Sequence, residues 1–344
     1  MENLISKNDS IYVAGHNGMV GNAIIRKFKE KGYGNIKKGG ILYTQNRSEL
    51  DLTSQGKVLS WFSKNKPKVV IIAAAKVGGI FANSKYPFDF ISENLKIQQN
   101  LIEAAWLNGT KRLLFLGSSC IYPKCSKLPI CEEELLTSPL EKTNEPYAIA
   151  KIAGIKLCEA IRNQYKFDAI SLMPTNLYGP GDNYDSENSH VLAALLKKFI
   201  IAKKNKTKKV YCWGSGNPMR EFLHVNDLAD ACIHVLEKWD PDDCKAPRDK
   251  SGKKLYYLNV GSGEEVSIKE LANLISQYTG FNGEILWDNN KPDGTYRKNL
   301  DISRIKSLGW KPQLNLKQGI KKLVEEIEES LNNKSTGSKY FKNL

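Results

Sequence analysis

The first half of the chain alternates short apolar segments with longer amphipathic ones, and this alternation restricts the folds open to it. One apolar segment, VVIIAAA at residues 69–75, has no polar side chain. A strand can be apolar throughout when helices cover both faces of its sheet, as they do in parallel sheets. We therefore predict an α/β fold with a Rossmann-type, doubly wound parallel sheet. The predicted strands cover residues 10–15, 39–44, 69–75, 112–118 and 168–176, and the predicted helices cover residues 19–31, 56–65, 94–108 and 147–165.

The pattern changes after residue 178, where the loops lengthen and residues 179–190 show neither strand nor helix periodicity. We predict a Rossmann domain at 1–178, which is completed by sheet and helix segments near 220–236 and 253–263 that return to it. We also predict a smaller C-terminal lobe at 179–330 that mainly binds substrate, and a polar tail at 331–344. Within the lobe, helices are predicted at residues 191–203 and 316–331, and strands at 209–214 and 253–261.

Composition excludes several classes of protein. The 344 residues are 41% hydrophobic and 26% charged, as in ordinary globular proteins. The segment at 69–75 is the longest apolar run and is too short to cross a bilayer, and the start, MENLISKNDS, lacks an apolar signal segment. The seven cysteines contain no C-x-x-C pair. We expect a cytoplasmic protein with reduced thiols, no metal site and no membrane partner.

The net charge of +14 has three candidate explanations, namely binding of nucleic acid, of a membrane surface or of small anionic ligands. The basic clusters at residues 203–209 and 250–254 contain no aromatic side chains. Binding of single-stranded nucleic acid uses cations interleaved with aromatic rings. We therefore interpret these clusters as solvated loops and predict no nucleic-acid partner, and the charge remains compatible with a phosphorylated ligand.

A glycine-rich turn follows the first predicted strand. Gly15, Gly18 and Gly21 have G-x-x-G-x-x-G spacing and lead directly into a predicted helix. Glycines allow the backbone to approach a diphosphate closely, and the helix N-terminus offers free N–H groups and the positive end of its dipole. Because the turn lies between a strand and a helix, it predicts dinucleotide binding.

The end of the second predicted strand indicates which dinucleotide. NAD-binding sites usually place an acid there to bind the ribose hydroxyls. This chain has Arg47 after the strand, and the first acid that follows the strand is Glu49. An arginine can instead pair with a 2′-phosphate, so we predict NADP(H).

Three side chains suggest carbonyl reduction. Ser118 ends the fourth strand, and Tyr147 and Lys151 open the next helix four residues apart, on one face. The tyrosine can donate a proton to a carbonyl oxygen that the serine holds by a hydrogen bond. We expect the lysine cation to lower the pKa of the tyrosine.

Longer strings give a resemblance to a known family. G-x-x-G-x-x-G, the strand-end serine and Y-x-x-x-K resemble the extended short-chain dehydrogenases/reductases. AGHNGMVG, AAAKVGGI, LGSSCIYP, EPYAIAKIAGIKLCE, MPTNLYGP, NSHV, WGSGNPMREFLHV and KPDGT narrow the resemblance to the GDP-L-fucose synthase family, over residues 11–319. The resemblance implies NADPH-dependent conversion of GDP-4-keto-6-deoxy-D-mannose to GDP-L-fucose, by 3,5-epimerisation and then 4-keto reduction. It also implies a homodimer that pairs through helices near 94–108 and 147–165.

The resemblance assigns roles to individual residues. Cys120 matches the base of the epimerisation and His190 its acid, beside the catalytic Ser118, Tyr147 and Lys151. Cofactor contacts carry over to Gly15, His16, Asn17, Gly18, Met19, Val20, Gly21, Arg47, Leu116, Gly117, Ser119, Pro174, Thr175, Asn176 and Leu177, with Ser118, Lys151 and His190 also in contact. Sugar-nucleotide contacts carry over to Lys198, Trp213, Arg220 and Asp293. Asn17 replaces an arginine that is common in the family's glycine loop, which removes one partner of the 2′-phosphate.

Two alternatives remain at this point. The first is another sugar-nucleotide epimerase or reductase of the same fold. A 4,6-dehydratase would have an acid pair after the serine strand, which SSCIYP lacks, and a 4-epimerase would not need Cys120 and His190. The second is a cofactor-binding regulatory protein, for which loss of Tyr147 or Lys151 would be typical, and both are present.

Overall fold

A computed structural model describes residues 3–185, 189–291 and 293–332. Residues 186–188 of the predicted irregular segment and nearly all of the predicted polar tail lie outside these ranges. The strands are β1 (Ser10–Ala14), β2 (Ile41–Tyr43), β3 (Val69–Ile72), β4 (Arg112–Leu116), β5 (Ala169–Pro174), β6 (Asn176–Tyr178), β7 (Lys209–Trp213), β8 (Met219–His224), β9 (Tyr257–Val260), β10 (Glu265–Ser267), β11 (Glu284–Asp288) and β12 (Arg297–Lys298). The α-helices are α1 (Met19–Glu30), α2 (Gln55–Asn65), α3 (Ile80–Lys85), α4 (Pro87–Leu107), α5 (Glu145–Tyr165), α6 (Val191–Lys204), α7 (Val225–Lys238), α8 (Ile268–Thr279), α9 (Ser303–Ser307) and α10 (Leu316–Asn332).

The main sheet confirms the predicted fold class. Six strands lie in the order β2-β1-β3-β4-β5-β9, and every neighbouring pair is parallel. All residues of β3, β4 and β5 are buried, as continuous apolar strands require. Between β1 and β3 the strand order reverses, and ligands of open α/β sheets bind at the carboxyl ends of strands at such a switch point.

Residue 175 marks the passage from the main sheet to a second one. Directly after β5, β6 pairs in parallel with β8, and β8 also pairs with β10 and β12. The Thr175 hydroxyl and the Asn176 side-chain amide both donate to the backbone oxygen of Glu221 in β8, at 3.3 and 2.9 Å. These bonds hold the two sheets together at the carboxyl edge of the main sheet.

A second hydrophobic core lies under α6, α8 and α10, separate from the core around the main sheet. Residues that belong to it include Leu196, Phe199, Leu271 and Ile320. Two elements that come after residue 178 in the chain pack with the main sheet and its helices. Helix α7 packs against α1, and β9 joins the main sheet. The predicted boundary at residue 178 stays a prediction.

Helix α4 begins seven residues before its predicted start. Its first residue is Pro87, whose fixed φ and missing N–H suit the first turn of a helix. The sequence analysis also did not predict α3, α8, α9 or the strands β10 to β12. For α8 a signal was present, since Ser267 and Glu270 form a capping box at its start.

Candidate active site

The glycine turn after β1 is closely packed on its inner side. Gly15 has a φ of +85°, and a Cβ there would lie 2.7 Å from the backbone of Ala74, just after β3. A Cβ on Gly21 would lie 2.2 Å from the carbonyl oxygen of Gly15. Neither position accepts a larger residue, so the loop and helix α1 keep their close approach.

The outer side of the same turn is open. Gly18 precedes α1, is exposed, and gives the helix no side-chain cap, and the first turn has no acidic residue. The N–H groups of Met19 and Val20 therefore lie at a positive helix end with no side-chain acceptor. This arrangement fits the diphosphate of a dinucleotide, with His16 partly buried and Asn17 exposed at its rim.

The other predicted cofactor residues lie at the carboxyl ends of β4 and β5. Leu116, Gly117 and Ser119 are buried around the end of β4. Pro174 and Thr175 are buried at the end of β5, and the next two residues of the predicted set are partly buried in β6, namely Asn176 and Leu177. Together with the glycine turn they follow one edge of the main sheet.

Arg47 lies on the loop after β2, with its side chain 79% exposed and its Nη2 3.8 Å from Oε2 of Glu93. On the same loop, the Asn46 side-chain oxygen accepts from Nδ2 of Asn17 at 2.7 Å. Asn17 thus links the glycine turn to the loop that carries Arg47. The guanidinium is held by one long ion pair and remains accessible to a ligand.

Ser118 and Cys120 lie on the short 3₁₀ turn that follows β4. The Ser118 hydroxyl accepts a hydrogen bond from the backbone N–H of Cys120 at 3.2 Å. It is also hydrogen-bonded to the hydroxyl of Tyr147, at the start of α5. Serine, cysteine and tyrosine side chains therefore meet at one place.

The pKa of Tyr147 is raised, whereas the sequence analysis expected it to be lowered. Burial raises the pKa of Tyr147, the Cys120 charge raises it further, and the Ser118 hydrogen bond opposes both. The ammonium of Lys151 donates to the Leu116 carbonyl at 2.7 Å and lies 6.0 Å from the Tyr147 ring centre. Burial also lowers the pKa of Lys151 to about 7, which weakens the cation that was expected to act on the tyrosine. The tyrosine is thus kept in its proton-carrying form.

Two cations of the second sheet interact electrostatically with Cys120. Arg220 of β8 and Lys298 of β12 are directly paired in the parallel register, and the charges of both act on Cys120. Burial lowers the pKa of both cations, and Cys120 opposes this shift in each. Sequence reasoning selected Arg220 but missed Lys298. The two-residue strand that carries Lys298 has no periodicity from which it could be recognised.

His190 is the residue just before α6, and its imidazole does not cap the helix. The residue is exposed to solvent, although enough of the chain surrounds it that desolvation lowers its pKa. Among the contacts of the described residues, none joins its side chain to Ser118, Cys120 or Tyr147.

The remaining substrate candidates form a group around Trp213, whose ring is 59% exposed. Lys198 lies 5.4 Å from the ring centre and donates to the Tyr211 carbonyl at 2.9 Å. Lys291, which the sequence analysis did not select, lies 5.4 Å from the same ring centre. Two cations beside an accessible aromatic face suit an anionic ligand with a planar group.

Asp293 has a different environment. Its carboxylate accepts from the backbone N–H and the hydroxyl of Ser215, at 2.7 and 2.8 Å. It therefore ties the loop after β11 to the loop after β7, and its charge also acts on Arg220.

The described residues contain neither a metal-binding cluster nor a membrane-spanning helix. No cluster of three or more His, Cys, Asp or Glu side chains there could hold a metal ion. Within the same ranges, every helix is too short or too polar to cross a membrane.

Comparisons with known proteins agree with this geometry. The model of the NAD dependent epimerase/dehydratase family matches residues 11–246. The chain is 54% identical to GDP-L-fucose synthase 1 of Arabidopsis thaliana, over 93% of each protein. A GDP-6-OMe-4-keto-L-xylo-heptose reductase from C. jejuni superposes with a TM-score of 0.86 at 36% identity, over 94% of this chain and 99% of that one. A GDP-L-fucose synthetase from Naegleria fowleri, bound to NADP, superposes with a TM-score of 0.82 at 26% identity, over 96% and 97%. The chain therefore belongs to the NAD dependent epimerase/dehydratase family, whose cofactor is a nicotinamide dinucleotide.

Proposed function

We propose that this enzyme converts GDP-4-keto-6-deoxy-D-mannose to GDP-L-fucose, by epimerisation at carbons 3 and 5 followed by reduction of the 4-ketone. The observation that carries the proposal is the meeting of a thiol with a reductase pair, since Cys120 lies beside the hydrogen-bonded Ser118 and Tyr147. A reductase alone needs no thiol there. The GDP-L-fucose synthases at high identity support the same activity.

The reduction uses Tyr147 as its proton donor. A bound nicotinamide supplies the hydride. Tyr147 keeps its proton at rest because burial raises its pKa, so the hydroxyl can protonate the 4-keto oxygen. Ser118 holds that oxygen by a hydrogen bond, and Lys151 fixes the end of β4 through the Leu116 carbonyl.

The epimerisation uses the same carbonyl. Protons on carbons 3 and 5 are acidic because the 4-ketone accepts the electron pair as an enolate, and Ser118 and Tyr147 stabilise the enolate oxygen. Cys120, as a thiolate, removes each proton from one face of the sugar. We propose that His190 returns a proton to the opposite face, which inverts the carbon.

NADP(H) is the proposed cofactor. Support comes from the exposed Arg47 guanidinium at the end of the second strand, where a 2′-phosphate would lie, and from the relative that is bound to NADP. Asn17 bonds to Asn46 beside Arg47 and offers an amide where the family often has a cation. Arg47 is therefore the residue on which the preference for NADPH depends.

For the GDP group we propose the surface around Trp213. Its exposed ring can stack on a planar base, and Lys198 and Arg220 can pair with the diphosphate. Asp293 acts through Ser215, by holding the loop after β11 against the loop after β7.

We also infer a homodimer that pairs through α4 and α5. The two helices pack together and leave Leu107, Ile149 and Tyr165 exposed, at 56%, 43% and 50%. Apolar surface of this kind favours an isologous partner. Sedimentation at micromolar concentration should give a dimer, and a monomer alone would contradict the inference. The cytoplasmic location stays a prediction, supported by seven free cysteines.

The test of function follows NADPH oxidation with GDP-4-keto-6-deoxy-D-mannose and identifies the product by NMR. We expect GDP-L-fucose as the only sugar product. Reduction without inversion at carbons 3 and 5 would instead identify a simple 4-reductase. No oxidation of NADPH would refute the proposed activity and favour a regulatory protein.

A further inference from the structure

Glu93 has no role in the reaction described above, yet its carboxylate lies beside the residue that is proposed to select the cofactor. It belongs to α4, and its Oε2 is 3.8 Å from Nη2 of Arg47. Its other oxygen, Oε1, accepts from the ammonium of Lys76 at 2.7 Å. We propose that Glu93 is a specificity-determining residue, which competes with the 2′-phosphate of NADPH for Arg47 and so reduces the preference for NADPH over NADH.

This inference rests on the proposed function, in which Arg47 pairs with the 2′-phosphate. A guanidinium binds phosphates and carboxylates through the same fork of N–H donors. The phosphate and the Glu93 carboxylate therefore compete for one group. NADH has a hydroxyl at the 2′ position and does not need Arg47, so the competition lowers the affinity for NADPH alone.

The Glu93 carboxylate is held in place independently of Arg47. Lys76, which makes the shorter bond to it, also pairs with Asp89 at 3.2 Å. The hydrogen bond with Glu93, and then the one with Asp89, raises the pKa of Lys76 against the effect of burial, so the ammonium stays charged. The backbone of Lys76 is tied to α4 as well, because its N–H donates to the Asn94 side chain at 2.9 Å and its carbonyl accepts from that side chain at 3.0 Å. A negative charge is thus present beside Arg47 before any cofactor binds.

Arg47, by contrast, is held weakly. Its side chain is 79% exposed, and its ion pair with Glu93 is long. Exposed ion pairs contribute little free energy, so a phosphate can break this one at a small cost. Asn17, whose amide donates to Asn46 at 2.7 Å, adds no charge that would offset this cost. Glu93 should therefore weaken the preference for NADPH without abolishing it.

Asp51 is another carboxylate whose charge interacts with Arg47, but its environment differs. Its Oδ1 accepts from the N–H and the hydroxyl of Thr53, at 3.0 and 2.8 Å. These bonds fix Asp51 within its own turn, whereas Glu93 presents an oxygen directly to the guanidinium. The direct contact identifies Glu93 as the competitor.

The experiment measures the affinities of NADPH and NADH by titration calorimetry on the full chain, without a sugar nucleotide. In Glu93→Gln we expect NADPH to bind about threefold to fivefold more tightly, because no exposed ion pair has to break first. The affinity for NADH should stay at the wild-type value. An unchanged affinity for NADPH would overturn the proposal. Weaker binding of NADPH would also overturn it, because Glu93 would then hold Arg47 ready for the phosphate.

Asp89→Asn is the matched control. It removes the same charge from the same helix, one turn earlier, and among the ion pairs of the described residues Asp89 pairs with Lys76 and not with Arg47. Both affinities should equal those of the wild type, and thermal melting should confirm that all variants are folded. A gain for NADPH as large as that in Glu93→Gln would show a general effect of charge and would overturn the proposal.

The double variant Arg47→Ala/Glu93→Gln separates competition for Arg47 from simple repulsion of the phosphate. If Glu93 acts through Arg47, the gain for NADPH should disappear when Arg47 is absent. A gain of the same size with and without Arg47 would overturn the proposal.

The same titrations distinguish this proposal from the proposed function. If NADP(H) is not the preferred cofactor, the wild type will bind NADH at least as tightly as NADPH, and Arg47→Ala will weaken both equally. That result would overturn both proposals, whereas a wild-type preference for NADPH that Glu93→Gln leaves unchanged would overturn only this one. The measurement needs no turnover, so it also stays valid if the proposed conversion of the sugar fails.

Discussion

Burial of Lys151 should make the stability of the ligand-free protein depend on pH. Lys151 is only 4% exposed, and burial lowers its pKa from an ordinary value near 10.4 to about 7. Between those values the unfolded chain binds more protons than the folded chain, so stability rises with pH from about 7 to 10 and is lost as pH falls. At about 1.4 kcal/mol per pH unit, and with Lys151 half-protonated near pH 7, the gain between pH 7 and pH 9 is about 2 kcal/mol.

The comparison is between the wild type and Lys151→Met, in which a neutral chain of similar length fills the same space. Urea unfolding at pH 7, 8 and 9, in the presence of a thiol reductant, gives the free energy of unfolding for each. The wild type should gain about 2 kcal/mol more than the variant over this range. Parallel curves for the two proteins would refute the assignment of a depressed pKa to Lys151.

Three further variants test the cofactor site and the reductive step. Arg47→Ala should weaken NADPH binding about tenfold more than NADH binding, because a charge-assisted hydrogen bond contributes about 1.5–3 kcal/mol. Calorimetry measures both affinities, and equal losses would show that Arg47 does not contact the 2′-phosphate. Gly21→Ala should abolish binding of both cofactors, because its Cβ would lie 2.2 Å from the Gly15 carbonyl oxygen, whereas Gly56→Ala, in open space, should bind them normally. Tyr147→Phe should stop NADPH oxidation yet still allow deuterium exchange, and near-normal reduction would exclude Tyr147 as the proton donor.

The sequence predicted those parts of the fold that depend on local pattern. The apolar strands β1 to β5 and the glycine turn follow from periodicity and from the steric needs of Gly15 and Gly21. The grouping of Ser118 and Tyr147 followed from a serine at the end of the fourth strand and from the Tyr147 and Lys151 pair, four residues apart on the helix that comes next. The roles of Cys120 and His190 came from the family resemblance, because a free cysteine or an exposed histidine has no local signature.

The second sheet could not be read from the sequence in the same way. Lys298 reaches the site because β12 pairs with β8, which lies about eighty residues earlier, and two residues carry no periodic signal. Asp293 accepts two hydrogen bonds from Ser215 across two loops that are distant in sequence, and its contact with the substrate stays a prediction. The direction of the Tyr147 pKa was also missed, since burial of Tyr147 and Lys151 depends on packing that no local motif encodes.

The central claim is that one pocket performs epimerisation and reduction with different groups, and Cys120→Ser tests it most directly. A serine hydroxyl is a far weaker acid than a thiol, whose free pKa is about 8.5, so it provides almost no base near neutral pH. In heavy water, NMR should show that deuterium uptake into carbons 3 and 5 of GDP-4-keto-6-deoxy-D-mannose is lost in the variant. NADPH oxidation with a ketosugar supplied already epimerised should continue, because Ser118, Tyr147 and Lys151 are intact. Deuterium uptake at the wild-type rate would contradict the account.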